Sequence, residues 1–190
     1  MGEIIQIKVE KGGIGKTFIA SNLAHLLTLL EYKVIILSID SQNNVYSIFN
    51  KINQRIKGSL KKSILSNEIY KIKLRENLDF IPIELYLSPN ILKEVPAFLR
   101  KLKKNYDYII IDCPPSLSLL TINAFMASDS VVIPIQCEYY ALEGLNQMLR
   151  TVNLIRERLN PTLEIEGIVF TMYDARNNLS GQVIEGVKSV

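Results

Sequence analysis

Residues 4–9 form a short β-branched run that leads directly into a glycine-rich turn, Lys11-Gly12-Gly13-Ile14-Gly15-Lys16-Thr17, with an apolar stretch immediately after it. Glycine admits backbone conformations closed to other residues, and without Cβ atoms successive N–H groups of the turn are free to face one point. A helix opening directly after the turn adds its positive N-terminal end at that same point. A chain arranged in this way must bring a strand end and a helix start together around an anion.

The closing residues Gly15-Lys16-Thr17 are those of a phosphate-binding P-loop, in which the lysine meets the β- and γ-phosphates and the hydroxyl reaches Mg²⁺. The usual pattern places its first glycine at position 10, where this chain has Glu10. In its place the loop carries a second lysine, Lys11, five residues ahead of Lys16. One triphosphate needs one P-loop lysine, so Lys11 suggests charge delivered elsewhere, to a partner's nucleotide.

Further strands are expected over residues 34–39, 78–83, 106–112, 130–135 and 165–171, six in all, with 78–83 the weakest. Ile109-Ile110-Ile111 is wholly apolar, as in a strand buried on both faces. A helix is expected over 17–30. Another is marked by Leu142, Leu145, Leu149, Val152, Ile155 and Leu159 at helical spacing and is stopped by Asn160-Pro161. Strands alternating with helices predict an α/β fold: a mostly parallel sheet with helices on both faces, forming one P-loop ATPase domain over 1–190. Ligands of such sheets bind beyond the carboxyl ends of the strands. Residues 12–15, Asp40 and Asp112 all follow strands at that edge. Asp112, closing an apolar strand, is placed to hold Mg²⁺ directly or through water, and Asp40 to orient or deprotonate an attacking water.

At 190 residues, 48% hydrophobic and 22% charged, the chain has the balance of a globular domain with a full core. No apolar run approaches the roughly 20 residues of a membrane helix. Met1-Gly2-Glu3 runs straight into a strand and is followed by no lipidation signal, so the cytoplasm is the expected compartment. Cys113 and Cys137 read as reduced structural thiols, and His25 as a helix packing residue. Residues 51–104 hold 13 Lys/Arg against 5 Asp/Glu, whereas the rest holds 9 against 14. That excess, which includes Lys57, Lys61, Lys62, Arg100, Lys101, Lys103 and Lys104, suits attraction to nucleic acid or an anionic membrane, and equally a solvated helix face.

Residues 11–17 resemble the deviant Walker A loop of the ParA/MinD ATPases, and residues 106–145 and 158–183 resemble the ParA/Soj partition ATPases. The resemblance implies ATP and Mg²⁺ as ligands, with Lys11, Gly12, Gly13, Ile14, Gly15, Lys16, Thr17 and Phe18 around the nucleotide. It implies an ATP sandwich homodimer in which Lys11 crosses to the other subunit's phosphates. Catalysis would fall to Lys11, Lys16 and Asp40, with slow hydrolysis stimulated by a ParB-type partner. It further implies positioning of a chromosome or plasmid through non-specific DNA binding by the dimer, and hence association with the nucleoid.

Departures from the family pattern shape the alternatives. Phe18 stands where a second hydroxyl residue is usual, which removes a side-chain contact to the α-phosphate. Where the family reads Asp-x-Asp-Pro-Gln-Gly-Asn, this chain has Ser38-Ile39-Asp40-Ser41-Gln42-Asn43-Asn44, so Ser38, Ser41 and Asn43 alter the loop around Asp40. Residues 50–105 resemble the family weakly. Relatives are expected to run some tens of residues past position 190, through a part that completes the sheet, helps hold the adenosine and contacts DNA. A nucleotide-binding homologue that does not hydrolyse is therefore a second expectation. A MinD-like membrane-cycling ATPase is a third, although residues 183–190 are too short and too weakly apolar for an amphipathic anchor.

Overall fold

The computed structural model describes residues 2–40, 44–49, 59–84 and 86–188. Within them the chain runs β1 (Glu3–Ile7), α1 (Lys16–Leu29), β2 (Val34–Ser38), α2 (Val45–Ile48), α3 (Leu60–Ser66), β3 (Ile72–Arg75), β4 (Leu78–Ile81) and α4 (Pro89–Leu102). It continues through β5 (Tyr108–Asp112), α5 (Leu119–Phe125), β6 (Ser130–Gln136), α6 (Ala141–Arg158), β7 (Glu164–Thr171) and α7 (Asn178–Lys188). The strands form one sheet in the order β3-β4-β2-β5-β1-β6-β7. Every neighbouring pair is parallel except β3–β4.

The expected α/β architecture is present, with β3 as the addition. Ile72 and Leu74 are buried while Lys73 and Arg75 are exposed, so β3 is half-buried and only four residues long. It folds back on β4 through Glu76-Asn77, with Asn77 taking the left-handed conformation at φ 55°. Its antiparallel edge position explains why it lacks the continuous apolar signature of the parallel strands. The other differences are element ends: β1 stops at Ile7 and leaves Lys8 and Val9 in the loop, and α1 begins at Lys16.

Ile35, Ile36, Leu37, Ile109, Ile110 and Ile111 are each 0% exposed. Burying an isoleucine side chain in this way contributes on the order of 2–3 kcal/mol, which makes the centre of the sheet its most firmly held part. Ile5, Ile7, Val34, Ile36, Phe80 and Ile110 pack under α1 and α2. The opposite face packs against α3, α4 and α5 on one side and against α6 and α7 on the other. Right-handed crossovers account for α1 lying on one face and α4, α5 and α6 on the other. The step from β1 to β2 runs one way across the sheet, whereas β4 to β5, β5 to β6 and β6 to β7 run the other. The reversal opens a crevice at the carboxyl ends of β1 and β5, where ligands of such sheets bind.

Register aligns that edge. Ile7 and Ser38 both pair with Asp112, so the ends of β1, β2 and β5 are level. Helix α6 buries Ala141, Leu145, Met148, Val152 and Ile155, close to the predicted stripe, while Leu159 lies at its exposed end. Cys113 and Cys137 are free and buried. Among the described residues no helix is long and apolar enough to cross a membrane.

Lys57 lies outside the described residues. So do Lys51 and Arg55, and several of the described basic side chains of the 51–104 stretch are engaged within the chain. Arg100 donates to the Met126 carbonyl at 2.7 Å, Lys101 bonds the Asn67 side chain at 2.7 Å, and Lys103 is paired with Asp129 at 2.8 Å. Lys62 lies 3.9 Å from the centre of the Tyr70 ring.

Candidate nucleotide site

The turn between β1 and α1 has the predicted backbone. Gly13 and Gly15 adopt φ of 74° and 92°, the region that favours glycine. Gly15 is also the N-cap of α1, which has no side-chain cap and no acidic residue in its first turn. The N–H groups opening α1 thus have no capping side chain, and the helix dipole favours an anion there. Ile14 is 2% exposed and anchors the turn from below. Around Gly12 and Gly13 a Cβ would meet nothing within 4 Å, so these two positions face open space.

Lys16 is 7% exposed, and its ammonium donates to the Lys11 carbonyl at 2.6 Å, curling back over the turn. Burial lowers its pKa, and the charge of Asp112, with Cys113 and Asp40 behind it, works against that shift. Asp112 is 1% exposed, and neither carboxylate oxygen completes a hydrogen bond. Burial raises its pKa to about 6, and the nearby Asp40 adds to the rise. The Thr17 hydroxyl and the Lys16 charge pull in the opposite direction. Lys16, Thr17, Asp40 and Asp112 are therefore gathered at one point, as their sequence positions predicted. Ser38 is buried and donates to the Asp40 carbonyl at 3.3 Å. Ser41 and Asn43 lie outside the described residues. Phe18 faces outward from the first turn of α1 and is 66% exposed.

Lys11 turns away from Lys16. Its side chain is half exposed and forms an ion pair with Glu138, in the bend between β6 and α6. Glu10 points to α6, accepting from Gln147 and, at 3.2 Å, from Thr151. Two adjacent residues thus tie the turn to α6 and to the bend before it, neither tie being foreseeable from the local sequence.

A third lysine escaped the sequence reading. Lys8 is 0% exposed, and its ammonium donates to the carbonyls of Pro114, Pro115 and Ser116 at 2.8, 2.6 and 3.0 Å. Burial pulls its pKa down to about 8, with Cys113 and Glu10 opposing and Lys16 reinforcing the shift. Burying an unpaired ammonium costs several kcal/mol. Three charge-assisted bonds at about 1.5–3 kcal/mol each offset that cost. The only sequence signal was a lysine directly after an apolar strand of a sheet covered on both faces.

A strand running through a glycine turn into a helix, in a parallel sheet with an acidic strand end beside the turn, defines a P-loop nucleotide-binding protein. A family model described as an AAA domain, AAA_31, matches residues 2–165. The chain is 49% identical to the sporulation initiation inhibitor protein Soj of Bacillus subtilis, over 99% of this chain and 79% of that protein. It is 42% identical to the chromosome partitioning protein ParA of Myxococcus xanthus, over 99% and 71% of the two chains. A plasmid partition protein from Borrelia burgdorferi superposes with a TM-score of 0.82 at 30% identity, over 100% of this chain and 86% of that one. Cobyrinic acid a,c-diamide synthase from Mycobacterium smegmatis, solved with ADP and magnesium, gives 0.85 at 27% identity, over 100% and 82%. The chain belongs to the ParA/Soj family of partition ATPases.

Proposed function

We propose that this chain is a Mg²⁺-ATP-dependent ATPase of the deviant Walker A type that passes between a monomer and an ATP sandwich dimer during chromosome or plasmid partitioning. Asp112 carries the reading. A carboxylate that is 1% exposed with neither oxygen hydrogen-bonded, beside a threonine hydroxyl at the mouth of a P-loop, fits a hard divalent cation. Thr17 and Asp112 would hold Mg²⁺, which neutralises charge on the phosphates when bound.

The remaining roles belong to the chain itself. Gly12, Gly13, Ile14 and Gly15 offer backbone N–H groups to the phosphates, Lys16 supplies the β,γ-contact, and Asp40 orients the attacking water. Phe18 stands where a second hydroxyl residue is usual and would offer the α-phosphate no hydroxyl. Lys11, held by Glu138 on its own subunit and half exposed, exchanges that partner for the phosphates across the dimer. The identity to Soj and ParA supports DNA as the track, a ParB-type protein as the stimulator, and the cytoplasm and nucleoid as the location.

Light scattering tests the cycle. With Mg-ATP the wild type is expected to double its 21.6 kDa mass while Lys11→Ala stays monomeric. An unchanged wild-type mass with and without ATP would refute the proposal. Asp40→Ala is expected to cut phosphate release at least tenfold with nucleotide affinity preserved, and unchanged turnover would remove Asp40 from its role. Phe18, exposed where a hydroxyl is usual, favours one second reading: a nucleotide-binding homologue without hydrolysis. It predicts no phosphate release even with a ParB-type partner present.

A further inference from the structure

β1 ends at Ile7, and the next side chain is a lysine with no exposed surface. Three N–H donors of Lys8 meet the carbonyls of three consecutive residues, Pro114, Pro115 and Ser116, at 2.6–3.0 Å, which uses the full donor capacity of an ammonium. The backbone at 114–116 therefore curls around a positive centre, as oxygen ligands surround a monovalent cation. Two of these residues are prolines, which have no N–H to donate, so the segment draws order from its carbonyls.

Placement gives this tie its meaning. The Lys8 amide donates to the Val132 carbonyl at 3.1 Å, fixing the residue to β6. Its side chain crosses to the segment leaving β5 two residues after Asp112. The far end of that segment is pinned as well: the Thr121 hydroxyl donates to the Ser116 carbonyl at 3.3 Å, and Ser118 caps α5 through the Thr121 amide at 3.3 Å. Lys8 is thus the cross-link between the P-loop strand and the loop that follows the Asp112 strand. The charged and titratable groups around it are Lys16, Glu10 and the Cys113 thiol. None of them replaces its contacts to the carbonyls.

We propose that Lys8 is a positioning residue, a tethered cation that holds the 114–116 loop and through it sets Asp112 against the P-loop. The proposal rests on the Mg-nucleotide reading of that site. It differs from simple core filling because the loop responds to charge as well as volume.

Two variants separate charge from volume. Lys8→Met keeps the volume and removes the charge, and Lys8→Ala opens room for an added amine. Binding of a fluorescent ATP analogue with Mg²⁺ is expected to weaken at least tenfold in both. Ethylammonium, but not tetramethylammonium at the same ionic strength, should restore Lys8→Ala at least fivefold and leave Lys8→Met unchanged. A second readout needs no nucleotide: amide exchange at Thr121 and Ile122, whose N–H groups bond the Ser118 hydroxyl and carbonyl at the end of this loop, should be at least tenfold faster in Lys8→Met than in the wild type. Wild-type affinity and wild-type exchange in Lys8→Met would overturn the proposal. Faster exchange in Lys8→Met, with a wild type that binds no Mg-nucleotide, would support the tether and overturn the reading of the site.

Discussion

Lys16→Ala should weaken Mg-ATP binding by at least a hundredfold while the protein stays folded. The wild-type side chain is 7% exposed, and its ammonium is held at the mouth of the turn by the Lys11 carbonyl at 2.6 Å. Burial acts to lower its pKa, and the cluster of Asp112, Cys113 and Asp40 keeps the charge in place. A phosphate oxygen arriving there meets a cation already stripped of water and already oriented, so little ordering remains to be done on binding. Two charge-assisted bonds of about 1.5–3 kcal/mol each amount to roughly 3–6 kcal/mol, and the third N–H of the ammonium is free to keep the Lys11 carbonyl. At about 1.4 kcal/mol per decade this is at least two decades of affinity. Stability should change less, because the variant also removes a buried charge. Titration with a fluorescent nucleotide at fixed Mg²⁺ measures the loss, and an effect under tenfold would show that Lys16 does not meet the phosphates.

The features legible in the sequence were those that local patterning controls. Ile109-Ile110-Ile111 predicted a central strand because a strand covered on both faces admits no polar residue. Asp40 and Asp112 were found together because strand ends in a parallel sheet share one edge. Strand β3 was missed because its two buried and two exposed residues read as part of a basic, irregular stretch. The ties of the turn were missed for a different reason. Lys11 and Glu138 are separated by 127 positions, and Glu10 and Thr151 by 141. Such pairs follow only from the packing of α6 against the P-loop edge. Lys8 is the clearest limit. A lysine at a strand end is ordinarily read as solvent-facing, and only the consecutive carbonyls of Pro114, Pro115 and Ser116 make its burial affordable.

Asp112→Asn should move stability and function in opposite directions. The folded protein raises the Asp112 pKa from 3.8 to about 6, chiefly through burial and then through Asp40. Between those two values the folded state keeps a proton that the unfolded state has released, so stability falls as pH rises through this window. Above pH 6 the full cost is present, about 3 kcal/mol, because a tenfold change in proton affinity between the two states is worth about 1.36 kcal/mol. In EDTA and without nucleotide, the asparagine variant should therefore unfold later than the wild type at pH 7.5. The gain is expected at about 1–3 kcal/mol, because the new amide also needs partners. The difference should shrink toward pH 4.5, where wild-type Asp112 is protonated in the folded state. The same variant should lose the tightening of nucleotide binding by Mg²⁺, since an amide carries no charge to offer the ion. Urea denaturation at pH 4.5, 6 and 7.5 reads the first effect, and nucleotide titration with and without Mg²⁺ reads the second. A variant less stable than the wild type at pH 7.5 would mean that Asp112 has stabilising partners within the chain. Retained Mg²⁺ dependence would place the ion elsewhere. On the proposed reading both effects have one cause: a carboxylate serving a cation is a liability in the protein alone, and binding of the cation with its nucleotide would remove that liability.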